Sequence, residues 1–170
     1  MKTRKRKAKK GFHGGQKILI LENIRSVHNV GAIFRTADAI GISEIILTGY
    51  TPTPKDRFGR IRKDFIKASL GAEKNVLWRT FPTTKEEIEI LKKENFTIIS
   101  LEQVPRAIHY KKYIPKGNCA LIVGNEVSGV SKEVLTLSDT VIFIPMRGKK
   151  ESLNVSVATG IALFQLFDRR

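Results

Sequence analysis

Short, almost wholly apolar runs alternate along this chain with stretches whose apolar residues recur at helical spacing. Residues 17–21 (KILIL) read as a buried strand, and 29–40 as a helix with Ile33, Phe34, Ala37 and Ile40 on one face. Residues 44–47 form a second strand, 64–70 a short helix and 75–78 a further strand. Thr84 and Glu87 have the spacing of a capping box that opens a helix reaching Glu94. Residues 96–100 (FTIIS) and 120–123 (ALIV) are strands, and a helix starts at Ser131. Residues 140–144 (TVIFI) form the last strand and 152–167 the last helix. This alternation predicts an α/β fold, a mostly parallel sheet flanked by helices. The last helix is apolar around more than one face, through Leu153, Val155, Val157, Ala158, Ile161, Ala162, Leu163, Leu166 and Phe167. Such a helix is buried on two sides, and in a small domain one of those sides suits a subunit interface.

The chain has 170 residues, 41% of them hydrophobic, enough for one domain with a real core. It excludes a disordered chain. A single cysteine, Cys119, excludes an intrachain disulfide framework and a cysteine-based zinc cluster. No run approaches the length of a membrane span, so no membrane partner is expected.

Charge points to a polyanionic partner. The formal net charge is +15, and seven of the first ten residues are basic: Lys2, Arg4, Lys5, Arg6, Lys7, Lys9 and Lys10. Without these seven the body still carries +8. The arm lacks the apolar centre of a secretory signal and the hydrophobic face of a membrane-surface helix. The arm over residues 1–16, with Arg4, Lys5, Arg6 and Lys7 at its centre, is either a solvated tail or, as the shared sign of the body favours, a nucleic-acid-binding arm ahead of a domain over 17–170. A second cluster, Lys55, Arg57, Arg60, Arg62, Lys63 and Lys67, follows a proline-containing loop and suits phosphate contacts. Few aromatic residues lie among these charges, so base stacking is not signalled there.

Parallel α/β sheets bind ligands beyond the carboxyl ends of their strands. Three such loops have unusual polar content. In the first, Asn29 reads as a helix N-cap, Gly31 permits close approach, and Arg35 lies within an otherwise apolar helix. Arg35 is either a snorkelling surface residue or an arginine held near a ligand by small neighbours. In the second, Gly124 and Gly129 bracket Glu126. In the third, Ser152, Asn154 and Ser156 stand at a helix start, where an amide among apolar residues needs a partner. Neither a phosphate loop nor a G-x-G-x-x-G fingerprint is present.

Together, Asn29-Val30-Gly31-Ala32-Ile33-Phe34-Arg35-Thr36-Ala37-Asp38-Ala39, Ile122-Val123-Gly124-Asn125-Glu126-Val127-Ser128-Gly129-Val130, and Ile144-Pro145-Met146 with Ser152-Leu153-Asn154-Val155-Ser156-Val157-Ala158 resemble the SpoU family of RNA 2′-O-ribose methyltransferases, within the SPOUT superfamily. Ser69-Leu70-Gly71-Ala72 fits the family's intermediate helix. The resemblance implies a deep C-terminal trefoil knot, which periodicity would not suggest. It implies S-adenosyl-L-methionine as cofactor, held by Leu101, Gly124, Ile144 and Leu153 with Met146 nearby, and no metal. It implies a homodimer, a tRNA or rRNA substrate and a cytoplasmic location. Arg35 takes the catalytic position, Asn29 and Asn154 position it and the loops, Glu126 braces the second loop or the arginine, and Ser152 bonds within the site. Arg57, Arg60, Arg62 and Lys63 join the arm in gripping RNA. His28, beside Asn29, is a lone histidine of the usually solvent-facing kind. Two other readings compete: an RNA-binding protein on the same fold without catalysis, and a nucleotide-binding domain, which the missing phosphate signatures count against.

Overall fold

The computed structural model describes residues 15–168. Most of the basic arm, including Arg4, Lys5, Arg6 and Lys7, lies outside the described residues. In chain order the elements are β1 (Lys17–Glu22), α1 (Val27–Ile40), β2 (Glu44–Thr48), α2 (Lys63–Ser69), α3 (Ala72–Asn75), β3 (Leu77–Phe81), α4 (Thr84–Lys93) and β4 (Thr97–Leu101). They continue with β5 (Ile108–His109), a 3-10 turn at Tyr110–Lys112, β6 (Cys119–Val123), α5 (Lys132–Leu137), β7 (Thr140–Phe143) and α6 (Val155–Phe167). The strands form one parallel sheet in the order β3-β2-β1-β6-β4-β7-β5.

The sheet is buried on both faces, which is why its inner strands read as unbroken apolar runs. Leu19, Leu21, Ile45, Leu47, Ile99 and Leu121 face one core, shared with α1, α2, α3 and α6. Ile18, Ile20, Ile46, Ile98, Ala120 and Ile122 face the other, under α4 and α5. α1 and α2 press together where a Cβ on Gly31 would stand 2.6 Å from the Cβ of Ala68. Gly31 therefore serves helix packing rather than the approach to the first turn that the sequence suggests. Phe34 and Phe65 close the contact edge-to-face at 5.2 Å.

Several boundaries differ from the sequence reading, each because a neighbour takes the capping role. α1 starts two residues earlier than expected: Ser26 is its N-cap, accepting from the Asn29 amide, and Asn29 lies in the first turn. The capping box of α4 is Thr83 with Glu86, one residue before the expected pair. Thr84 instead meets the Thr48 hydroxyl at 2.6 Å, and Glu87 is a buried ion-pair partner. α6 starts at Val155 with Asn154 as its cap, rather than at Ser152. The short elements α3 and β5 were not foreseen, because neither carries enough residues for periodicity to show. The folded domain also begins before Lys17: the Gln16 amide donates to Asn118 Oδ1 at 2.8 Å, and its carbonyl accepts from the Cys119 amide. Among the described residues, no helix is long and apolar enough to cross a membrane.

One ion-pair network fastens the β3 edge. Arg79 donates to Glu44 Oε1 at 3.0 Å and forks onto the fully buried Glu87 at 2.9 and 2.5 Å. Burial works against the arginine's charge, but the carboxylates of Glu87 and Glu44 hold its pKa above the ordinary value. Arg79→Met leaves Glu87 in the core without its guanidinium, and is expected to lower stability in urea unfolding at neutral pH by about 3 kcal/mol. A loss well under about 1 kcal/mol would show that the pair does not hold this edge.

Candidate active site at the carboxyl edge of the sheet

The three loops singled out by their polar content converge beyond the ends of β1, β6 and β7. At their centre is Glu126, to which three N–H donors are directed. Its Oε2 accepts from the Arg25 amide at 2.9 Å. Its Oε1 accepts from the Ser26 amide at 3.0 Å and from Asn29 Nδ2 at 2.9 Å. Burial raises the pKa of this carboxyl, but the Arg25 amide, Asn29 Nδ2 and the Ser26 amide outweigh that and leave it lowered. Asn29 in turn accepts at Oδ1 from Asn154 Nδ2, at 3.1 Å. Asn154 uses its own Oδ1 to cap α6, accepting from the Ser156 amide at 2.9 Å and the Ser156 hydroxyl at 2.6 Å. One polar chain, Glu126–Asn29–Asn154, thus ties the first, second and third loops together. Asn154 is exposed rather than buried, so its place in the sequence reflects a cap with a spare amide rather than a buried amide seeking a partner.

The second loop is held by its own backbone and by Asn125. The Asn125 and Gly129 peptides exchange hydrogen bonds of 3.1 and 2.9 Å. A Cβ on Gly124 would come within 2.3 Å of Gly129 and Val130 backbone atoms, and one on Gly129, at φ +67°, would strike the Glu102 carboxylate. Gly124 therefore lacks a side chain because the loop folds over it. Asn125 Oδ1 accepts from the Val127 and Ser128 amides, and its Nδ2 donates to Asn23 O and to Tyr50 Oη at 2.9 Å. Sequence reasoning passed over Asn125; an asparagine between glycine and a carboxylate in a loop is the signal that marks it. Glu22, at the end of β1, accepts from the Ser131 amide and hydroxyl at 3.0 and 2.8 Å and fixes the start of α5.

Between the loops lies a cleft of about 220 Å³. Its lining contains Leu101, Gly124, Ile144, Met146 and Leu153, together with Ser152 and Glu126. Val123, Phe143, Val155 and Ala158 give it apolar walls. Three carboxylates border it, Glu102, Glu126 and Glu151, and among the described residues no lysine, arginine or histidine does. The Ser152 hydroxyl makes no hydrogen bond among the described residues, so it is free to meet a ligand. An acid-bordered cleft in a chain of net charge +15 favours a cationic ligand and disfavours a polyphosphate.

Arg35 is not part of this lining. It is exposed on α1, with no ion pair or hydrogen bond among the described residues, and the side-chain amides of Asn29 and Asn154 bond to Glu126 and to each other instead. Ala32, one turn before it, and Thr36 line a shallow apolar groove with Ser156, Val157, Gly160, Ile161 and Phe164 of α6. Val157 and Phe164 are 51% and 46% exposed there, the outward side of the two-sided apolar helix. His28 is exposed in the first turn of α1.

The predicted RNA-contacting loop is partly neutralised by its own acidic residues. Arg60 pairs with Asp56 at 2.7 Å, and Arg62 with Asp64 at 3.2 Å. Arg57 and Lys63 make no ion pair among the described residues. Arg57 and Arg60 instead flank the exposed ring of Phe58, at 4.8 and 5.0 Å from its centroid.

Residues 16–164 match the model of the SpoU rRNA Methylase family. The chain belongs to that family. It is 36% identical over 150 residues to the tRNA (guanosine(18)-2′-O)-methyltransferase of Thermus thermophilus, covering 86% of this chain and 72% of that protein. It is 34% identical over 159 residues to the 23S rRNA (guanosine-2′-O-)-methyltransferase RlmB of Salmonella typhi, covering 94% of this chain. The SpoU chain spans only 63% of the length of that rRNA enzyme. Among solved structures, the AdoMet-bound rRNA methyltransferase from Sinorhizobium meliloti superimposes with a TM-score of 0.80 at 27% identity, over 90% of this chain and 56% of that one.

The Glu126 hub makes a pH-dependent contribution to stability. Because its pKa is lower in the folded protein, that contribution is complete above the ordinary value of 4.5 and is lost as the pH falls through the lower folded value. Glu126→Gln places an NH2 group among N–H donors. It is expected to cost about 1 kcal/mol near neutrality and to flatten the decline of stability below pH 4.5, as read from urea melts across a pH series. Parallel curves for the two proteins would remove Glu126 from this role.

Proposed function

We propose that this chain methylates a ribose 2′-hydroxyl of tRNA or rRNA, using S-adenosyl-L-methionine. The observation that carries the reading is one acid-bordered cleft lined by the second and third family loops and the end of β4 with the residues after it, among them Leu101, Gly124, Ile144, Met146 and Leu153, with the first loop tied to it through Glu126 and Asn154. These residues fit the cofactor's chemistry: apolar walls suit an adenosine, exposed loop backbone suits its polar edges, and three carboxylates suit a cationic sulfur and ammonium. When bound, the cofactor supplies a methyl group activated by a positively charged sulfur. The relatives' names, which specify guanosine 2′-O-methylation of tRNA and of 23S rRNA, support the reaction and the substrate class. We place the activity in the cytoplasm.

In this reading each protein group acts on the nucleophile or on the frame. A guanidinium keeps its proton throughout, so Arg35 acts by charge and by hydrogen bonding, orienting the target phosphate and the 2′-hydroxyl. The hydroxyl proton would leave to the phosphate or to water as the 2′-oxygen takes the methyl group, whose bond to sulfur breaks to leave a neutral thioether. Glu126, Asn29 and Asn154 are positioning residues that hold the loops around the reacting atoms. The Ser152 hydroxyl bonds to the bound molecule. Two copies of the chain pair through the groove between α1 and α6, where exposed Val157 and Phe164 need cover. That pairing buries the ground beside Arg35, which, like Asn29 and Asn154, does not line its own chain's cleft. The knot implied by the family belongs to the same proposal. It is supported by the insertion of β7 between β4 and β5 and by the return of α6 to α1 and to residues 110–112. The arm over residues 1–16 contributes phosphate contacts.

Calorimetric titration with S-adenosyl-L-methionine tests the cofactor, and mapping of 2′-O-methyl groups on tRNA and rRNA tests the reaction. Arg35→Ala is expected to retain the fold and cofactor binding while methyl transfer falls at least about a hundredfold. Undiminished transfer would take Arg35 out of the mechanism. RNA binding without cofactor binding would favour the non-catalytic reading. Deleting residues 1–10 is expected to weaken RNA binding and reduce the slope of log affinity against log salt. An unchanged slope would make the arm a bystander.

A further inference from the structure

We propose that Phe58 is a stacking platform for one unpaired base of the bound RNA; the inference rests on the RNA-directed reading above and adds how single-stranded substrate is gripped. Phe58 is 66% exposed, although burying a phenyl ring is ordinarily favourable. It is displayed by a fixed turn. Asp56 Oδ1 accepts from the Phe58 amide at 2.9 Å and the Arg60 amide at 3.0 Å, and its other oxygen accepts from Arg60 Nε. Below the turn, Lys55 and Ile61 form an antiparallel bridge, and the Arg62 amide donates to Pro54 O at 3.0 Å. The ring therefore needs little further ordering before it can bind a ligand.

Its neighbours define the ligand. The Arg57 and Arg60 guanidinium groups lie 4.8 and 5.0 Å from the ring centroid. A ring flanked by cations fits a molecule that brings a flat aromatic face and a phosphate together, which is a nucleotide. Arg57 has no acidic partner among the described residues, so a phosphate has no ion pair to displace there. A duplex offers its phosphates but keeps its bases inside the stack, so the ring selects for a splayed, unpaired base. The hairpin is also placed for the reaction. It follows β2 at the same sheet edge as the cleft, and the segment leading into it is tied to the site loops. Tyr50 Oη accepts from Asn125 Nδ2 at 2.9 Å, and Thr51 Oγ1 accepts from the Ile24 amide at 3.0 Å.

The test uses the full chain and fluorescence anisotropy with a labelled, unstructured 12-nucleotide RNA and the duplex of the same sequence. Phe58→Ala and Phe58→Leu are expected to weaken single-strand binding about tenfold and duplex binding by less than about twofold. Phe58→Trp restores the single-strand affinity, and the new indole is quenched on binding. Full single-strand affinity in Phe58→Leu would reduce the ring to an apolar contact and overturn the proposal. Equal losses on both RNA forms, or no binding of either by the wild type, would overturn it as well. Titration of S-adenosyl-L-methionine into the wild type and Phe58→Ala separates the two levels. Failure of both to bind the cofactor sinks the methyltransferase reading while the RNA comparison still decides Phe58. Equal cofactor affinity shows that the variant is folded.

Discussion

A single carboxylate organises the carboxyl edge of this sheet. Glu126 stands on a glycine-bracketed loop after β6 and collects three N–H groups from the segment that opens α1. Hydrogen bonds to such an acceptor are strong because the carboxylate is ionised. The third loop joins through Asn29 and Asn154, so segments more than a hundred residues apart in the chain share one rigid frame. Without the carboxylate the first and second loops would be left with the bond from Asn125 Nδ2 to Asn23 O, and Asn29 would lose the acceptor that orients its amide. The cofactor and RNA roles assigned to the neighbouring residues all presuppose that frame.

Charge is segregated on a small scale. The whole chain is strongly basic, yet the cleft is bordered by Glu102, Glu126 and Glu151. Two of these carboxylates also accept main-chain hydrogen bonds, Glu102 from Val130 and Gln103 and Glu126 from Arg25 and Ser26. They are thus structural braces and local electrostatic markers at once. A basic exterior suits a polyanion, while the acidic pocket disfavours phosphate and suits a cation, as the proposed RNA and cofactor require. The same fold can in this way hold two ligands of opposite charge close together without confusing their sites.

The layered α/β fold was legible in the sequence because buried parallel strands and one-sided helices leave strong periodic traces. Finer features were not, for identifiable reasons. Ser26 and Asn29 are both good capping residues, as are the pairs Thr83–Glu86 and Thr84–Glu87, and spacing alone does not decide between neighbours. The neighbouring strands decide, since Thr84 is claimed by Thr48 and Glu87 by Arg79. Within the site, residue types flagged Asn29, Glu126 and Asn154, but their mutual bonding depends on loop convergence that local sequence does not encode. Arg35 shows the converse, because its helix was evident while its distance from the cleft was not. The loop after β2 reads as positive charge with few aromatics, and only its folded turn reveals that two guanidinium groups lie over the Phe58 ring.

The strand order has a consequence for how the protein is made. β1 is flanked by β2 on one side and by β6, about a hundred residues later, on the other. As the chain leaves the ribosome, β1, β2 and β3 can assemble with their helices, but β1 must wait for β6 with its hydrogen-bonding edge open. An apolar strand left unpaired for that interval invites association with other nascent chains. Slow synthesis or excess expression should therefore expose a kinetic weakness at the centre of the sheet, in a protein whose finished form conceals it completely.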